Sequence, residues 1–365
     1  MTSPLPMTER MHVQVIAEAG VSHNGDIGRA LAMVDAAAEA GADVVKFQTF
    51  DPQMIARGDS PLAAYQAAQT TGIRTQRELL AQLQLSDKDH RRLIQRCAER
   101  RIQFLSTPFD TVSLALLQDL QVPAFKISSA DLTNIPFLAS VAAIGKPVIL
   151  STGMADLQEI EDALAALAWG YSRGNSLPTG LSDLQAVLRD TRANLTGKVT
   201  LLHCTSAYPA PLADVNLRAM DTLRTAFNLP VGYSDHTLGY SVAVAAAARG
   251  AILIEKHFTL DRALPGPDHA ASLEPGELAA MISGIRDVEA ALGSEAKQAT
   301  ASELGNRPLV RKSLVAAQPI RAGETFTTRN LTAKRPGDGL APGNLWRLLG
   351  SKAARDYAQD EPIDA

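Results

Sequence analysis

The chain has 365 residues, 46% of them hydrophobic, and its 35 basic and 39 acidic side chains give a formal net charge of −4. Because nucleic-acid and anionic-membrane binders carry an excess of Lys and Arg, we expect neither nucleic acid nor a membrane as a partner. The chain has two cysteines and shows no N-terminal apolar signal region, which predicts a protein of the reducing cytoplasm.

Short apolar runs rich in β-formers alternate along the chain with amphipathic or alanine-rich stretches. We predict strands at residues 13–17, 43–47, 102–106, 124–127, 147–150, 199–203, 230–233 and 252–256. We predict helices at residues 27–40, 86–100, 111–120, 134–144, 157–169, 216–226, 240–249 and 275–292. Eight alternating units are typical of a closed (β/α)8 TIM barrel. An open doubly wound sheet fits less well, because no glycine-rich phosphate motif follows the first strand.

Two stretches interrupt this repeat. Residues 51–85 are long enough to fold over the mouth of the barrel, and the Gly- and Pro-containing residues 170–198 predict an irregular connection before the sixth strand. After Gly293 the pattern changes to a polar linker and then to short strands and turns. We therefore predict a barrel domain at 1–293, a linker at 294–308 and a small β-rich domain at 309–365.

Charged residues end several predicted strands. Glu18 ends the first strand, and a buried carboxylate needs a partner, which is a metal, a substrate or Lys46 in a plain ion pair. Lys46 and Lys126 end the second and fourth strands, and either could simply form an internal ion pair. Two lysines at the ends of different strands favour an anion-binding site.

Hydroxyl groups follow the third to seventh strands at the same level, from Thr107, Ser129, Ser151, Ser206 and Ser234. Singly, each could cap a helix. Together, they could surround a phosphate or carboxylate.

Two histidines, His236 and His257, follow the seventh and eighth strands. They could be unrelated barrel residues, but two imidazoles at neighbouring strand ends favour a shared divalent metal. The chain has no Cys/His spacing of the structural zinc type, so we expect an open site. His203 precedes its turn and is predicted to be structural.

An ordered set of motifs resembles the sialic acid synthase family along nearly the whole chain. The motifs are IAEAG at 16–20, SHNG at 22–25, VKFQT at 45–49, STPFD at 106–110, STGM at 151–154, SDHT at 234–237, EKHFT at 255–259, PGPDH at 265–269 and KRPG at 334–337. The resemblance implies a TIM barrel followed by a C-terminal antifreeze-like (SAF) domain. It also implies a homodimer in which that domain is swapped onto the partner's barrel.

The implied activity is condensation of phosphoenolpyruvate with an N-acyl amino sugar and water, with release of phosphate. N-acetylmannosamine would give N-acetylneuraminate, which is our main interpretation. The alternative is a legionaminate or pseudaminate synthase that uses a diacetamido-trideoxyhexose.

The resemblance also implies roles for individual residues. His236 and His257 would bind Mn2+, Mg2+ or a similar ion, and Glu18 or Asp131 would act as the general base. Phosphoenolpyruvate would be held by Lys46, Lys126, Ser129, Ser151, Ser206 and Ser234. The sugar would be held by Gln48, Thr107, Phe109, Tyr208, Asp268 and, from the partner subunit, Arg335. Asp131 stands where some members have glutamate, and Ser206 where some have asparagine.

Two hypotheses of other classes remain open on the residues alone. Lys126 could be the Schiff-base nucleophile of a pyruvate aldolase or lyase, since a desolvated lysine suits that role. Alternatively, the barrel could be a scaffold for a C-terminal binding domain. The polar residues at so many strand ends argue against an inert scaffold.

Overall fold

The computed structural model describes residues 12–62, 67 and 72–364. The chain divides into two compact units, Met1–Gly293 and Ser294–Ala365. Among the described residues, no helix combines the length and apolar character needed to cross a bilayer.

In the part of the first unit that the structure describes, eight parallel strands form a barrel. They are β1 (Gln14–Gly20), β2 (Val44–Thr49), β3 (Gln103–Pro108), β4 (Phe125–Ile127), β5 (Val148–Ser151), β6 (Val199–Cys204), β7 (Val231–Asp235) and β8 (Leu253–His257). Their hydrogen-bonded order is β3-β2-β1-β8-β7-β6-β5-β4, and β3 packs beside β4, which closes the ring. The predicted (β/α)8 fold is confirmed.

Eleven helices are described in the first unit. They are α1 (Ile27–Glu39), α2 (Pro52–Ile55), α3 (Gln76–Leu83), α4 (Asp87–Arg100), α5 (Thr111–Asp119), α6 (Ile135–Ala143), α7 (Leu157–Arg173), α8 (Leu181–Thr191), α9 (Ala219–Phe227), α10 (Ser241–Ala248) and α11 (Pro275–Leu292). Most of them lie on the outside of the barrel, with α2 and α3 beside a cavity at its mouth. Asp26, Asp110 and Asp156 precede α1, α5 and α7, and each side chain accepts a hydrogen bond from a first-turn N–H. These caps begin the helices directly after the strand-end loops.

The prediction of an irregular connection at 170–198 is wrong for most of these residues. Helix α7 continues to Arg173, and α8 fills much of the remainder. Gly170 lies inside α7, at the point where this helix packs closely on α6. A Cβ at Gly170 would lie 2.2 Å from the carbonyl oxygen of Ala139. The glycine therefore serves helix packing rather than a turn.

The strand alternation places two layers of side chains inside the barrel. The lower layer is apolar and consists of Ile16, Val44, Leu105, Ala124, Ile149, Leu202 and Leu253. Two residues further along the same strands, the upper layer is Glu18, Lys46, Thr107, Lys126, Ser151, Cys204 and Glu255. Because side chains two apart share a face of a strand, the polar layer opens toward the carboxyl ends of the strands.

The second unit has its own small core. Strands β9 (Ser313–Ala316) and β10 (Leu331–Lys334) pair in antiparallel fashion. Its helices are α12 (Ala301–Leu304), α13 (Arg307–Val310) and α14 (Leu345–Leu348), with a 3-10 turn at Pro342–Asn344. Leu314, Ile320, Phe326, Tyr357 and Ile363 are among its buried core residues. This is the small β-rich domain that the sequence predicts.

Candidate active site

A cavity of about 440 Å³ opens at the carboxyl ends of the strands. Among the site residues predicted from the sequence, those that line it are Glu18, Lys46, Gln48, Thr107, Phe109, Lys126, Ser129, Ser151, Ser206, Tyr208, Ser234, His236, His257 and Asp268. Side chains from all eight strand ends thus meet in one place, where TIM barrels carry their active sites.

The floor of the cavity is a buried cluster of four charges. Lys46 Nζ lies 2.6 Å from Glu18 Oε2 and 3.7 Å from Glu255 Oε2. Lys126 Nζ lies 3.5 Å from Glu255 Oε1. Two carboxylates and two ammonium groups balance one another, which makes their burial tolerable. A bound anion would find both lysines within the same small volume.

The sequence prediction missed Glu255 as a site residue. It lies two positions before His257 on β8, so its side chain is on the face that forms the interior of the barrel. The two-residue spacing from His257 was therefore the sequence signal that could have identified Glu255 as a site residue. Ser234 donates a hydrogen bond of 2.9 Å to Glu255 Oε1, which fixes the carboxylate between the two lysines.

The two carboxyl groups of this cluster have opposite pKa shifts. Burial, opposed by Lys46, raises the pKa of Glu18 to about 7. Burial also acts on Glu255, but the nearby Lys126 and Lys46 outweigh it and lower the pKa of Glu255 to about 2. Glu255 therefore stays ionised, whereas Glu18 can gain or lose a proton near neutral pH. Such divergent pairs are typical of an acid or base beside a fixed charge.

One wall of the cavity offers hydrogen-bond donors for an anion. Lys126 Nζ donates to Ser151 Oγ at 2.7 Å, and the Gly153 amide donates to Ser129 Oγ at 2.9 Å. Ser129 Oγ lies 3.2 Å from the Sγ of Cys204, a residue that the sequence prediction did not single out. An ammonium group and several hydroxyls on one wall suit a phosphate group.

Gly153 makes this wall possible because it has no side chain. A Cβ there would lie 2.3 Å from Ser206 Oγ and 2.9 Å from both Cys204 Sγ and Ser129 Oγ. We expect Gly153→Ala to lower kcat/KM for the anionic substrate at least about 100-fold, since the hydroxyls must shift. Steady-state kinetics on the purified variant measure this.

Gly276→Ala is the matched control, because nothing lies within 4 Å of a Cβ at that position. Its kinetics should equal those of the unsubstituted protein. If a folded Gly153→Ala variant has normal kcat/KM, the hydroxyls beside Gly153 do not bind the anionic substrate.

The rings of His236 and His257 lie close together in the cavity, with centroids 5.6 Å apart. His236 Nδ1 lies 2.7 Å from the carbonyl oxygen of Thr205, so Nδ1 carries the proton and Nε2 keeps its lone pair. His257 Nδ1 is buried, makes no hydrogen bond, and lies 3.8 Å from Asp268 Oδ2. The ring of Tyr208 packs against His236, with centroids 4.3 Å apart.

Both imidazoles are suited to bind a metal ion. Burial lowers the pKa of His236 to about 3 and also lowers that of His257, so both rings are neutral at pH 7, as metal ligation requires. Within residues 12–62, 67 and 72–364, no group of three His, Cys, Asp or Glu side chains is arranged to hold a metal. The pair fits an open centre whose other ligands are water or substrate.

Glu18 and Asp268 converge on His257. A Cβ built at Gly20 would lie 3.1 Å from Asp268 Oδ2, 3.3 Å from Glu18 Oε1 and 3.4 Å from His257 Cε1. Gln48 Nε2 donates to Glu18 Oε1 at 3.3 Å. Glu18 therefore contacts Lys46 through one oxygen and lies near His257 with the other.

Two of the predicted site residues are not among those that line the cavity. Asp131 is half-buried but does not line the cavity, and its Oδ1 accepts a hydrogen bond of 3.2 Å from Asn134. Arg335 belongs to the second unit, where it is exposed. His203 Nε2 lies 2.7 Å from the carbonyl oxygen of Val215, in keeping with a structural histidine.

The mouth of the cavity is mostly apolar, although Gln76 also lines it. It is lined by Val21, Phe50, Ile55, Leu79, Leu80, Leu83, Phe109 and Met154. Four of these residues come from the stretch 51–85, so the described part of that stretch does lie at the barrel mouth, as predicted. The cavity thus has a charged floor and a hydrophobic entrance.

The fold is a TIM barrel, and its cavity combines a buried cluster of four charges with two neutral imidazoles. This combination is typical of an enzyme that acts on an anionic substrate. The chain belongs to the NeuB family, whose model matches residues 33–297, and a model of the SAF domain matches residues 311–365. It is an enzyme of the nonulosonic acid synthase class.

Similar proteins cover almost the whole chain. The N,N'-diacetyllegionaminic acid synthases of Campylobacter jejuni and Legionella pneumophila are 45% and 43% identical, over 96% and 97% of this chain and 98% and 94% of their own lengths. The N-acetylneuraminate-9-phosphate synthase of Homo sapiens is 33% identical over 96% of this chain and 90% of its own. A crystal structure of N-acetylneuraminic acid synthetase from Leptospira borgpetersenii, in complex with citrate, has 33% identity and a TM-score of 0.65, and the match covers 81% of this chain and 90% of that one.

Proposed function

We propose that this enzyme condenses phosphoenolpyruvate with a diacetamido-trideoxyhexose and water, releases phosphate, and forms N,N'-diacetyllegionaminic acid. The reaction class is supported by the convergence of two lysines, several hydroxyls and two imidazoles in one cavity. This sugar replaces our main sequence-based interpretation, N-acetylmannosamine.

Two observations favour the diacetamido-trideoxyhexose. The relatives named as N,N'-diacetyllegionaminic acid synthases are 45% and 43% identical, against 33% for the N-acetylneuraminate-9-phosphate synthase of Homo sapiens. The cavity mouth also carries apolar side chains, including Leu79, Leu80 and Phe109. A trideoxy sugar has fewer hydroxyls and more apolar surface than N-acetylmannosamine, so it loses less hydration on entering such a mouth.

On this proposal the charged floor and the wall beside it hold phosphoenolpyruvate. Lys126 and the hydroxyls of Ser129, Ser151 and Ser206 face the phosphate, and Lys46 faces the carboxylate. Ser234 acts beside them and holds Glu255 in place. Fixing the anion in one orientation aims its C3 carbon at the sugar and turns a bimolecular reaction into a positioned one.

His236 and His257 would hold a divalent cation, Mn2+, Mg2+ or a similar ion. Their neutral rings and the open coordination positions fit such an ion. When bound, the ion would act as a Lewis acid that polarises the aldehyde of the open-chain sugar. Gln48, Tyr208 and Asp268 border this position and would hold the sugar, with Thr107 and Phe109 completing the wall.

Glu18 is the residue we assign to proton transfer, in preference to Asp131. Bond formation at C3 of phosphoenolpyruvate leaves positive charge at C2, which a water molecule captures. Glu18 takes one proton from that water, and this proton ends on the alkoxide oxygen of the former aldehyde. The adduct then breaks its C2–O bond to the phosphate, the C2 hydroxyl gives its proton to the departing phosphate, and C2 becomes a ketone, so phosphate leaves with the bridging oxygen. The Glu18 pKa of about 7 suits this role, whereas Asp131 does not line the cavity.

A phosphate-release assay with a panel of sugars tests the proposal. We expect phosphate release with phosphoenolpyruvate and the diacetamido-trideoxyhexose, and a kcat/KM at least about tenfold lower with N-acetylmannosamine, since apolar contacts discriminate by roughly that factor. Mass spectrometry should find the condensed nine-carbon acid. A higher kcat/KM with N-acetylmannosamine would reverse the choice of sugar.

We further propose that the active form is a homodimer in which Arg335 of one subunit completes the sugar site of the other. Arg335→Ala and His257→Ala should each be inactive alone. When the two variants are mixed and allowed to exchange, heterodimers carry one intact site, and about one quarter of the normal activity should return.

Mixing His257→Ala with Lys126→Met is the control. Both changes lie in the barrel domain, so each barrel of a heterodimer carries one defect and activity should stay absent. If mixing with Arg335→Ala restores nothing although dimers form, Arg335 does not act across subunits.

A further inference from the structure

A fully buried ion pair lies behind the two imidazoles, and the proposed mechanism does not use it. Lys256 Nζ lies 2.9 Å from Asp235 Oδ2, and neither side chain has any exposed surface. Asp235 and Lys256 face each other in the ladder between β7 and β8. Their neighbours Ser234 and Glu255 line the cavity, so by the alternation of the strands this pair lies on the outer face of the barrel.

The pair also fixes the backbone on the far side of His236. Lys256 Nζ donates to the carbonyl oxygen of Thr237 at 2.5 Å. Asp235 Oδ1 accepts from the Thr237 amide and from Thr237 Oγ1, each at 2.9 Å. Tyr233 OH donates to the same oxygen at 3.2 Å. The residues before and after His236 are therefore bonded to the residue that precedes His257.

Stability alone is a weak reason for such a pair. Two charges lose their hydration on burial, and replacing a buried ion pair by apolar groups of similar size is often neutral or stabilising. What this pair does supply is a rigid link between the ends of two strands that each carry an imidazole.

We propose that Asp235 and Lys256 are positioning residues, which set the distance and orientation of His236 and His257 for a divalent metal ion. The inference rests on the metal centre of the proposed function. Groups behind metal ligands orient the ligating rings, and their removal typically weakens metal binding. Here the link acts through the backbone, because Asp235 is adjacent to His236 and Lys256 is adjacent to His257.

The deciding variant is the double substitution Asp235→Asn with Lys256→Met in the full-length protein. It removes both charges together, so no unpaired charge remains buried. Thr237→Val is a second, milder variant, which removes only the hydroxyl bond to Asp235. Arg96→Met is the control, because it breaks an ion pair of 2.8 Å with Asp35 on the outer helices, away from the cavity.

The measurement is the Kd for Mn2+ in the absence of substrates, from the electron paramagnetic resonance signal of the free ion. Circular dichroism establishes which variants are folded. We expect the double variant to bind Mn2+ at least about tenfold more weakly, with Arg96→Met unchanged. If the double variant does not fold, Thr237→Val decides, with a several-fold weaker affinity expected.

The outcomes separate the two proposals. An unchanged Kd in the deciding variant overturns the positioning role and leaves the metal centre standing. If the unsubstituted protein binds no Mn2+, the metal centre itself is overturned, and the positioning role with it.

Discussion

His257→Ala should lower kcat by at least about 1,000-fold and leave the fold intact. The substitution removes one of the two imidazoles that we assign to the metal ion, and with it the activation of the sugar aldehyde. The fold should survive, because the ring makes no hydrogen bond through Nδ1 and lies at the cavity rather than in the apolar core. Phosphate release and circular dichroism on the same sample measure both effects.

His203→Gln is the matched control, on strand β6, two strands away from β8 in the barrel. His203 Nε2 contacts the Val215 carbonyl oxygen at 2.7 Å, and a glutamine amide can donate to the same oxygen. Its activity should remain within a few-fold of normal. EDTA should abolish activity in the unsubstituted protein and in this control alike. Near-normal turnover by folded His257→Ala would rule out the assigned role of the imidazole.

Lys126→Met should lower kcat/KM for phosphoenolpyruvate at least about 100-fold, because it removes a buried, charge-assisted donor to the anion. Methionine fills similar space, and Glu255 keeps its partners Ser234 and Lys46. The variant should therefore fold. Steady-state kinetics with varied phosphoenolpyruvate measure the loss.

The same residue distinguishes the synthase from a Schiff-base aldolase. On our account, borohydride and pyruvate should not label the unsubstituted protein at Lys126. Lys146→Met is the control for Lys126→Met. Lys146 Nζ donates to the Val122 carbonyl oxygen and does not line the cavity, so its loss should change neither the activity nor the labelling. Labelling of Lys126, combined with activity that resists EDTA, would favour the aldolase.

Much of the barrel is predictable because its strands have a local signature. Apolar runs end in polar residues at Glu18, Lys46 and Lys126, and parallel strands bring such ends to one rim. The same reasoning brings His236 and His257 into one cavity. Their metal-binding role follows from chemistry and from the resemblance, and it stays a prediction.

Other features depend on contacts that no local pattern encodes. Gly170 resembles a helix end, but its role is set by the close approach of α6. Glu255 is the first residue of the EKHFT motif, but its place in the site depends on ion pairs with Lys46 and Lys126, which come from two other strands. Asp131 follows a strand as an active-site carboxylate would, but the 3-10 turn at Ser129–Asp131 places it outside the cavity lining.

The most direct test of the central claim follows the bridging oxygen of phosphoenolpyruvate. We expect phosphoenolpyruvate labelled with 18O at that position to give labelled inorganic phosphate only when the sugar and a divalent ion are both present, together with one equivalent of the condensed acid. Unlabelled phosphate, or phosphate released without the sugar, would contradict the account.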